Sequence, residues 1–239
     1  MCRMIAAEGS VELEPLKQAL RSMALNRNPE YEHEHRSRGD ALVHDCGWGA
    51  AFVTPDGLSV VRSTRPCFDD PNFDSLSNPD ATVVVLHARR NRDRSTIALE
   101  NTHPFTATLG NAEYAFFHNG EVRDRGQLSY EGRFVPRGTC DSEELFYHLL
   151  TRFDDEHPRE SIESALSGIT DFTSLNCLLV AGDELLGYAG MAETTEYVRY
   201  YTLWRAAGSG VRVVSSEIVG GLDVEWAALP TERAFRLGA

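Results

Sequence analysis

Residues 82–87 read Thr-Val-Val-Val-Leu-His, and Ala88 and Arg89 follow directly. A strand with one face in water alternates apolar and polar side chains, whereas this run is apolar at every position from 83 to 86. The run therefore predicts a strand that is covered on both faces. A sheet that contains such a strand must have another layer of structure packed against each of its two faces.

Further strand and helix patterns lie on both sides of this run. The predicted strands are 2–7, 47–53, 58–63, 82–87, 114–118, 176–182, 184–190, 196–203, 211–217 and 224–229. The predicted helices are 15–24, 141–152 and 159–167, and 26–40 and 64–80 are predicted loops. Because no repeat or Pro/Gly/Ser-rich linker divides the chain, we predict a single domain over residues 1–239. Its fold class is α+β, with two sheets of short, mainly antiparallel strands and a few helices.

Composition excludes several classes of protein. The chain has 239 residues, 42% of them hydrophobic and 25% charged, as ordinary globular proteins do. Its net charge of −13 would repel a phosphate backbone, so we expect no nucleic-acid partner. Its five cysteines are widely spaced and form no CxxC, which argues against a disulfide framework and a structural zinc site. Because neither a signal peptide nor an apolar run of about 18 residues is visible, we predict a cytoplasmic protein without membrane contact.

The first candidate for chemistry is Cys2, directly behind Met1. Removal of Met1, which a small second residue permits, would leave Cys2 with a free α-amine beside its own thiol. An α-amine has a pKa of about 8 and a thiol one of about 8.5, so the amine could act as a base for the thiol. The alternative is a small buried cysteine at the start of a strand.

Three other positions carry groups that such a thiol would use, and each has a purely structural alternative. Asn119 and Gly120 end a predicted strand, where they could form a turn of positive φ or supply two donors to an oxyanion hole. Arg89 could hold a carboxylate by two hydrogen bonds, or be solvated or paired. Asp141 could bind an ammonium group, or cap the following helix with Glu144 three positions later.

Taken together and in order, these segments resemble the class II glutamine amidotransferases, which are N-terminal-nucleophile hydrolases. The segments are Cys2-Arg3, 44–49 (HDCGWG), His87-Ala88-Arg89, 101–105 (NTHPF), His118-Asn119-Gly120 and Asp141-Ser142-Glu143. Residues 200–203 and 213–217 are similar to the short stand-alone branch of that family. The resemblance covers nearly the whole chain.

The resemblance implies a four-layer αββα sandwich with Cys2 at the mouth between the sheets. It implies that Cys2 attacks the side-chain amide of glutamine, giving a γ-glutamyl thioester and ammonia, and that water then releases glutamate. Asn119 and Gly120 would form the oxyanion hole, Arg89 would take the α-carboxylate and Asp141 the α-ammonium. Neither a metal nor a cofactor is expected.

The sequence departs from the family pattern in three places. No threonine follows shortly after Arg89, where the family uses one to help hold the carboxylate; either Arg92 substitutes for it, or the end group that is recognised differs. Cys46 replaces a usual glycine, and Cys140 a usual aspartate. No synthase segment is visible, so either a partner subunit uses the ammonia or the chain is a plain amidohydrolase of a γ-glutamyl amide. The short branch includes an amidohydrolase of ergothioneine biosynthesis that removes glutamate from a γ-glutamyl-cysteine conjugate.

Two other functions are compatible with parts of the sequence. His33, His35, His44, Asp45 and Cys46 lie close together and could hold zinc in a zinc-dependent hydrolase, although their spacing is not that of a helical site. A catalytically silent binding module on the same fold is the third possibility. The thiol, the oxyanion-hole donors, the arginine and the aspartate are all present, which argues against a silent module. Whether Met1 is removed from the mature protein would decide between a silent module and an enzyme.

Overall fold

Two antiparallel sheets dominate the computed structural model, which describes residues 2–40, 42–130, 132–208 and 210–238. The strands are β1 (Arg3–Gly9), β2 (Trp48–Thr54), β3 (Gly57–Ser63), β4 (Val83–Ala88), β5 (Phe105–Leu109), β6 (Ala112–Val122), β7 (Phe172–Ala181), β8 (Glu184–Ala189), β9 (Trp204–Gly208), β10 (Val211–Ser215), β11 (Glu225–Ala228) and β12 (Arg233–Arg236). The helices are α1 (Leu13–Ala24), α2 (Glu34–Ser37), α3 (Pro71–Asp74), α4 (Asp141–Arg152), α5 (Pro158–Leu166) and α6 (Val198–Tyr201).

The valine run is β4, which lies inside the seven-stranded sheet of order β11-β9-β10-β1-β4-β2-β3. It pairs with β1 on one side and β2 on the other, and all six of its residues are buried. The sequence-based prediction of a strand covered on both faces is confirmed. The second sheet has five strands in the order β12-β8-β7-β6-β5.

Three apolar cores hold four layers together. One lies between α1 and the outer face of the seven-stranded sheet and contains Ile5, Leu20, Trp48, Val84 and Leu86. The next lies between the sheets and contains Met4, Val85, Phe117, Leu178 and Val214. The third lies between the five-stranded sheet and helices α4 and α5, and contains Phe116, Leu145, Leu149, Ile162 and Leu179. Alternate residues of β4 enter different cores, as the two-residue period of a strand requires. The α+β class and the αββα order are confirmed.

The segment 196–203, predicted as a strand, is different. Residues Val198–Tyr201 form α6, and the Glu34 carboxylate accepts hydrogen bonds from the main-chain nitrogens of Arg199 and Tyr200 at 2.8 and 3.0 Å. Both Tyr200 and Tyr201 are buried, which a strand with one covered face would not allow for neighbours. Three strands, β5, β9 and β12, were not predicted, and the short helices α2 and α3 lie in predicted loops.

No helix in the four described stretches combines the length and the apolar composition that a bilayer-spanning segment needs.

Candidate active site

Cys2 lies immediately before β1, and its side chain borders a cavity of about 670 Å³. The residue is 5% exposed. Its main-chain nitrogen donates a hydrogen bond to Asn119 Oδ1 at 2.8 Å, which joins the amino end of β1 to β6 in the other sheet. Of the predicted site residues, Arg89, Gly120 and Asp141 also border the cavity. Met1 lies outside the described residues, so the prediction about its removal stays a prediction.

The thiol of Cys2 has an unusual pKa. Burial alone raises the pKa of a thiol, because it disfavours the charged form. Burial is also the largest single influence here, but the neighbouring His87 ring, together with weaker influences such as a hydrogen bond from the main chain of Arg90, outweighs it and lowers the pKa of Cys2 to about 6. His87 lies on β4 opposite Met4 of β1, and its Nε2 is 3.3 Å from the carbonyl oxygen of His118. A thiolate, which is the nucleophilic form, therefore predominates near neutral pH.

Asn119 and Gly120 lie within β6, where they pair with Asn176 and Leu175 of β7. The alternative prediction of a turn with positive φ is wrong, because neither residue has one. The strand continues to Val122, and the register shifts after Gly120, as in β-bulges that redirect side chains near active sites.

The side chain of Asn119 has one polar atom still available. Its oxygen is used by Cys2, whereas its buried Nδ2 has no hydrogen-bond partner among the described residues. At Gly120 a Cβ would overlap the carbonyl oxygen of Ser174 and lie 2.6 Å from His118 Nε2, so no side chain fits. An amide that is hydrogen-bonded to the main chain of Cys2 thus keeps a free donor, and a bare stretch of backbone at Gly120 borders the same cavity as Cys2.

Arg89 follows β4 and is buried. Its Nη2 donates to Thr96 Oγ1 at 3.2 Å, while Nη1 is buried without a partner in the described part of the chain. This contact holds the guanidinium of Arg89 against the short turn at Arg94–Thr96. Arg92, suggested as a substitute, borders the same cavity.

Asp141 is the first residue of α4, and the predicted capping box is wrong. The residue at the N-cap position is Cys140, and the Glu144 carboxylate pairs with Arg125. The Oδ2 atom of Asp141 accepts a hydrogen bond from the main-chain nitrogen of Val122 at 2.8 Å. This contact ties the start of α4 to the end of β6 and turns the carboxylate toward the cavity that both elements border.

Two residues of the quoted motifs, His118 and Asn101, organise the walls of the cavity. His118 Nδ1 accepts from Ser142 Oγ at 2.9 Å, and its Nε2 is 3.0 Å from the carbonyl oxygen of Ser174. Asn101 Nδ2 donates to the carbonyl oxygen of Thr96 at 3.0 Å, and its Oδ1 accepts from the nitrogen of Thr139 at 2.7 Å. Sequence reasoning quoted both motifs but gave these side chains no role.

The residues of the zinc hypothesis have other partners. His35 Nδ1 is 2.7 Å from Asp40, and Asp45 pairs with Arg94 at 2.9 Å. Cys46 Sγ lies 3.5 Å from the carbonyl oxygen of Asn91. In the part of the chain that the structure describes, no three His, Cys, Asp or Glu side chains converge so that they could hold a metal ion.

Comparison with known sequences points to one family. The family described as "Glutamine amidotransferases class-II" matches residues 30–205. A protein of Escherichia coli (strain K12) named "Putative glutamine amidotransferase YafJ" is 35% identical over 123 residues, which are 51% of this chain and 48% of that protein. A "Putative glutamine amidotransferase" of Haemophilus influenzae is 23% identical over 168 residues, 66% of this chain and 56% of that protein. The chain spans about half the length of the curated relatives it matches.

Solved structures share the fold at low sequence identity. A "predicted glutamine amidotransferase from Pseudomonas aeruginosa PA01" superposes with a TM-score of 0.59 at 19% identity, covering 99% of this chain and 97% of that one. An allosteric regulatory enzyme of purine biosynthesis superposes with a TM-score of 0.65 at 16% identity, covering 98% of this chain and 48% of that one. These likenesses concern the αββα architecture, whereas the family match covers most of the chain. The chain therefore belongs to the class II glutamine amidotransferase family.

Proposed function

We propose that this chain hydrolyses the γ-amide of glutamine, or of a γ-glutamyl compound, with Cys2 as the nucleophile. The observation that carries the proposal is the hydrogen bond from the Cys2 nitrogen to Asn119 Oδ1. It places the side-chain amide of Asn119 next to the thiol and leaves the Nδ2 donor for an oxygen that the described residues do not provide.

The first half-reaction forms a thioester. The Cys2 thiolate attacks the amide carbon, and the carbonyl oxygen becomes an oxyanion stabilised by Asn119 Nδ2 and the main-chain N–H of Gly120. With Met1 removed, the Cys2 nitrogen is an α-amine that holds the proton released by the thiol. It passes this proton to the departing nitrogen as the carbon–nitrogen bond breaks, so ammonia or an amine leaves and a γ-glutamyl thioester remains.

The second half-reaction returns the enzyme to its starting state. The free amine takes a proton from water, whose oxygen attacks the thioester carbon through the same oxyanion hole. The carbon–sulfur bond then breaks, glutamate leaves and the thiol is restored with its proton. Every group that these steps need is present in the chain, and no step requires a cofactor or a metal.

The α-carbon end of the substrate is a zwitterion and needs one cation and one anion. Arg89 supplies the cation through its unpartnered Nη1, and Asp141 supplies the anion while one of its oxygens is held by Val122. Recognition of this end would explain why a buried guanidinium keeps an unused donor. Whether a synthase partner receives the ammonia is a separate question, and the single domain and cytoplasmic location remain predictions.

The test is intact-mass spectrometry after incubation with a diazoketone analogue of glutamine, combined with an assay of ammonia release. We expect a protein without Met1 that carries one adduct, and peptide mapping should locate it on Cys2. Cys2→Ala should give neither adduct nor ammonia. Cys67→Ala is the matched control, because Cys67 is buried in the α1 core and burial raises the pKa of its thiol to about 12. An adduct at another residue, or ammonia release by Cys2→Ala, would refute the mechanism.

A further inference from the structure

His103 is a buried polar side chain for which the proposed chemistry has no use. It is 2% exposed and borders the same cavity as Cys2 and Arg89. Neither of its ring nitrogens has a hydrogen-bond partner among the described residues. Most buried polar side chains are paired, and an unpaired one destabilises a fold, so this arrangement points to a ligand.

Two glycines, one in β2 of the seven-stranded sheet and one just before that strand, determine where this histidine lies. Gly49 of β2 pairs with His87 of β4, and a Cβ at Gly49 would overlap the carbonyl oxygen of His103. A Cβ at Gly47 would lie 3.3 Å from Thr102 Oγ1. The segment that carries His103 therefore rests on β2, where side chains are missing.

From that position the ring of His103 reaches across toward β4. Its centroid is 4.2 Å from that of His87, with an angle of 39° between the rings. Strand β4 lies between β1 and β2 in the sheet. Cys2 precedes β1 and His103 rests on β2, so the two residues lie on opposite sides of the end of β4 that carries His87 and Arg89.

Burial and the surrounding charges favour the neutral form of the His103 ring. Burial is the main cause that lowers the pKa of His103 well below its usual value, and the neighbouring His87, His118 and Arg89 lower it further. A neutral imidazole still has one N–H donor, and it adds no second positive charge beside the guanidinium. Arg89 itself has one unpartnered nitrogen, Nη1.

We infer that His103 is a substrate-binding residue that donates a ring N–H to the α-carboxylate of the glutamyl group, alongside Arg89 Nη1. The inference rests on the proposed function, because it assigns a second donor to the end group that Arg89 recognises. In this arrangement the carbonyl carbon of the γ-amide lies at Cys2 and the chain of the substrate crosses the end of β4. His103 then contributes to specificity for a free α-carboxylate.

The test measures ligand binding in a protein that cannot turn over. In a Cys2→Ala background, L-glutamate and 4-aminobutanoate are titrated by calorimetry; the second ligand lacks only the α-carboxylate. We expect His103→Ala to weaken L-glutamate binding by about ten- to hundredfold and to leave the weaker binding of 4-aminobutanoate nearly unchanged. Because asparagine places its amide near Nδ1 and glutamine places it near Nε2, one of His103→Asn and His103→Gln should restore most of the affinity.

A matched control separates binding from the general loss of a buried histidine. His148 on α4 is also buried, and its ring contacts Ser129 and Ala165 outside the cavity. His148→Ala should lower the melting temperature without changing the affinity for L-glutamate. Unchanged L-glutamate affinity in a folded His103→Ala protein, or equal losses for both ligands, would overturn the inference alone. Absence of L-glutamate binding by Cys2→Ala itself would overturn the proposed function and this inference with it.

Discussion

The hydrogen bond of 2.8 Å from the Cys2 nitrogen to Asn119 Oδ1 fixes which end of the asparagine amide faces Cys2. Asparagine can be placed in two orientations that differ in the exchange of nitrogen and oxygen. A peptide nitrogen can only donate, so the oxygen faces the Cys2 nitrogen and the Nδ2 donor faces away; an α-ammonium at Cys2 would donate in the same way. In the proposed mechanism, the side chain of Asn119 therefore has two tasks, which are to accept from the Cys2 nitrogen and to donate to the oxyanion.

Asn119→Asp should separate these two tasks of the side chain. The aspartate keeps an oxygen for the Cys2 nitrogen but loses the donor, and its negative charge opposes an oxyanion. We expect kcat for glutamine hydrolysis to fall by about 10²–10³ or more, with a much smaller change in KM. Steady-state assays of ammonia release measure both constants. If KM rose and kcat were kept, Asn119 would be a binding residue instead.

The pKa of Cys2 predicts how its reaction with iodoacetamide depends on pH. Thiolate forms above the pKa, so the alkylation rate of Cys2 should rise through about pH 6 and level off near pH 7. In His87→Gln the strongest lowering influence is lost and the influence of burial, which raises the pKa of the thiol, is less well opposed, so the midpoint should move to higher pH. Peptide-resolved mass spectrometry follows each cysteine separately.

Cys67 is the internal reference in that experiment, because burial raises the pKa of its thiol to about 12. It should stay unreactive over the whole range in the folded protein. A midpoint for Cys2 near the ordinary thiol value of about 8.5, both before and after the change at His87, would contradict the role given to that ring.

Gly120→Ala should damage both stability and activity. Its Cβ would overlap the carbonyl oxygen of Ser174, which belongs to the neighbouring strand and cannot move freely. We expect a loss of about 1–3 kcal/mol in the free energy of unfolding, measured by urea denaturation, together with loss of turnover. Gly168→Ala is the control, since no atom lies within 4 Å of a Cβ there, and its stability should change by less than about 0.5 kcal/mol. Equal effects at the two glycines would show that crowding at Gly120 is not the cause.

Removal of the charge of Glu217 should be strongly destabilising. Glu217 Oε1 lies 2.9 Å from Arg3 Nε, and both side chains are buried. Glu217→Gln leaves the guanidinium of Arg3 uncompensated, at an expected cost of about 3–5 kcal/mol in the free energy of unfolding. Urea denaturation followed by tryptophan fluorescence measures this cost.

An exposed ion pair provides the comparison for Glu217. Glu196 lies 3.1 Å from Arg38, and both side chains are largely in water, so Glu196→Gln should cost at most about 1 kcal/mol. The double change Arg3→Met with Glu217→Met should be less destabilising than the sum of its single changes. Additive losses would mean that the two buried groups do not stabilise each other.

The sequence predicted secondary structure correctly where the local pattern of apolar residues matches the burial of those residues in the fold. The unbroken apolar run of β4 needs cover on both faces wherever the strand is placed, so its burial was predictable. The periodic apolar positions of α4, such as Leu145 and Leu149, likewise have one face to bury.

The remaining errors have one physical cause, which is pairing between distant segments. Asn119 and Gly120 look like a turn in isolation, but Asn176 and Leu175 extend the strand through them. Residues 198–201 have strand-forming side chains, but Glu34, more than 160 positions earlier, binds the main-chain nitrogens at the start of a helix there. The role that we infer for His103 depends on its placement against Gly49, which no local pattern encodes.

Strand β1 pairs with β4 on one side and with β10 on the other. The main-chain nitrogen of Met4 donates a hydrogen bond to Ser216 Oγ, 212 positions later in the chain. During synthesis, at about 5–20 residues per second, one edge of β1 therefore waits on the order of ten seconds or more for its last neighbour. Strand β1 therefore acquires its neighbour β10 only after most of the chain has been made. The removal of Met1 that the proposed mechanism requires would have that interval in which to take place.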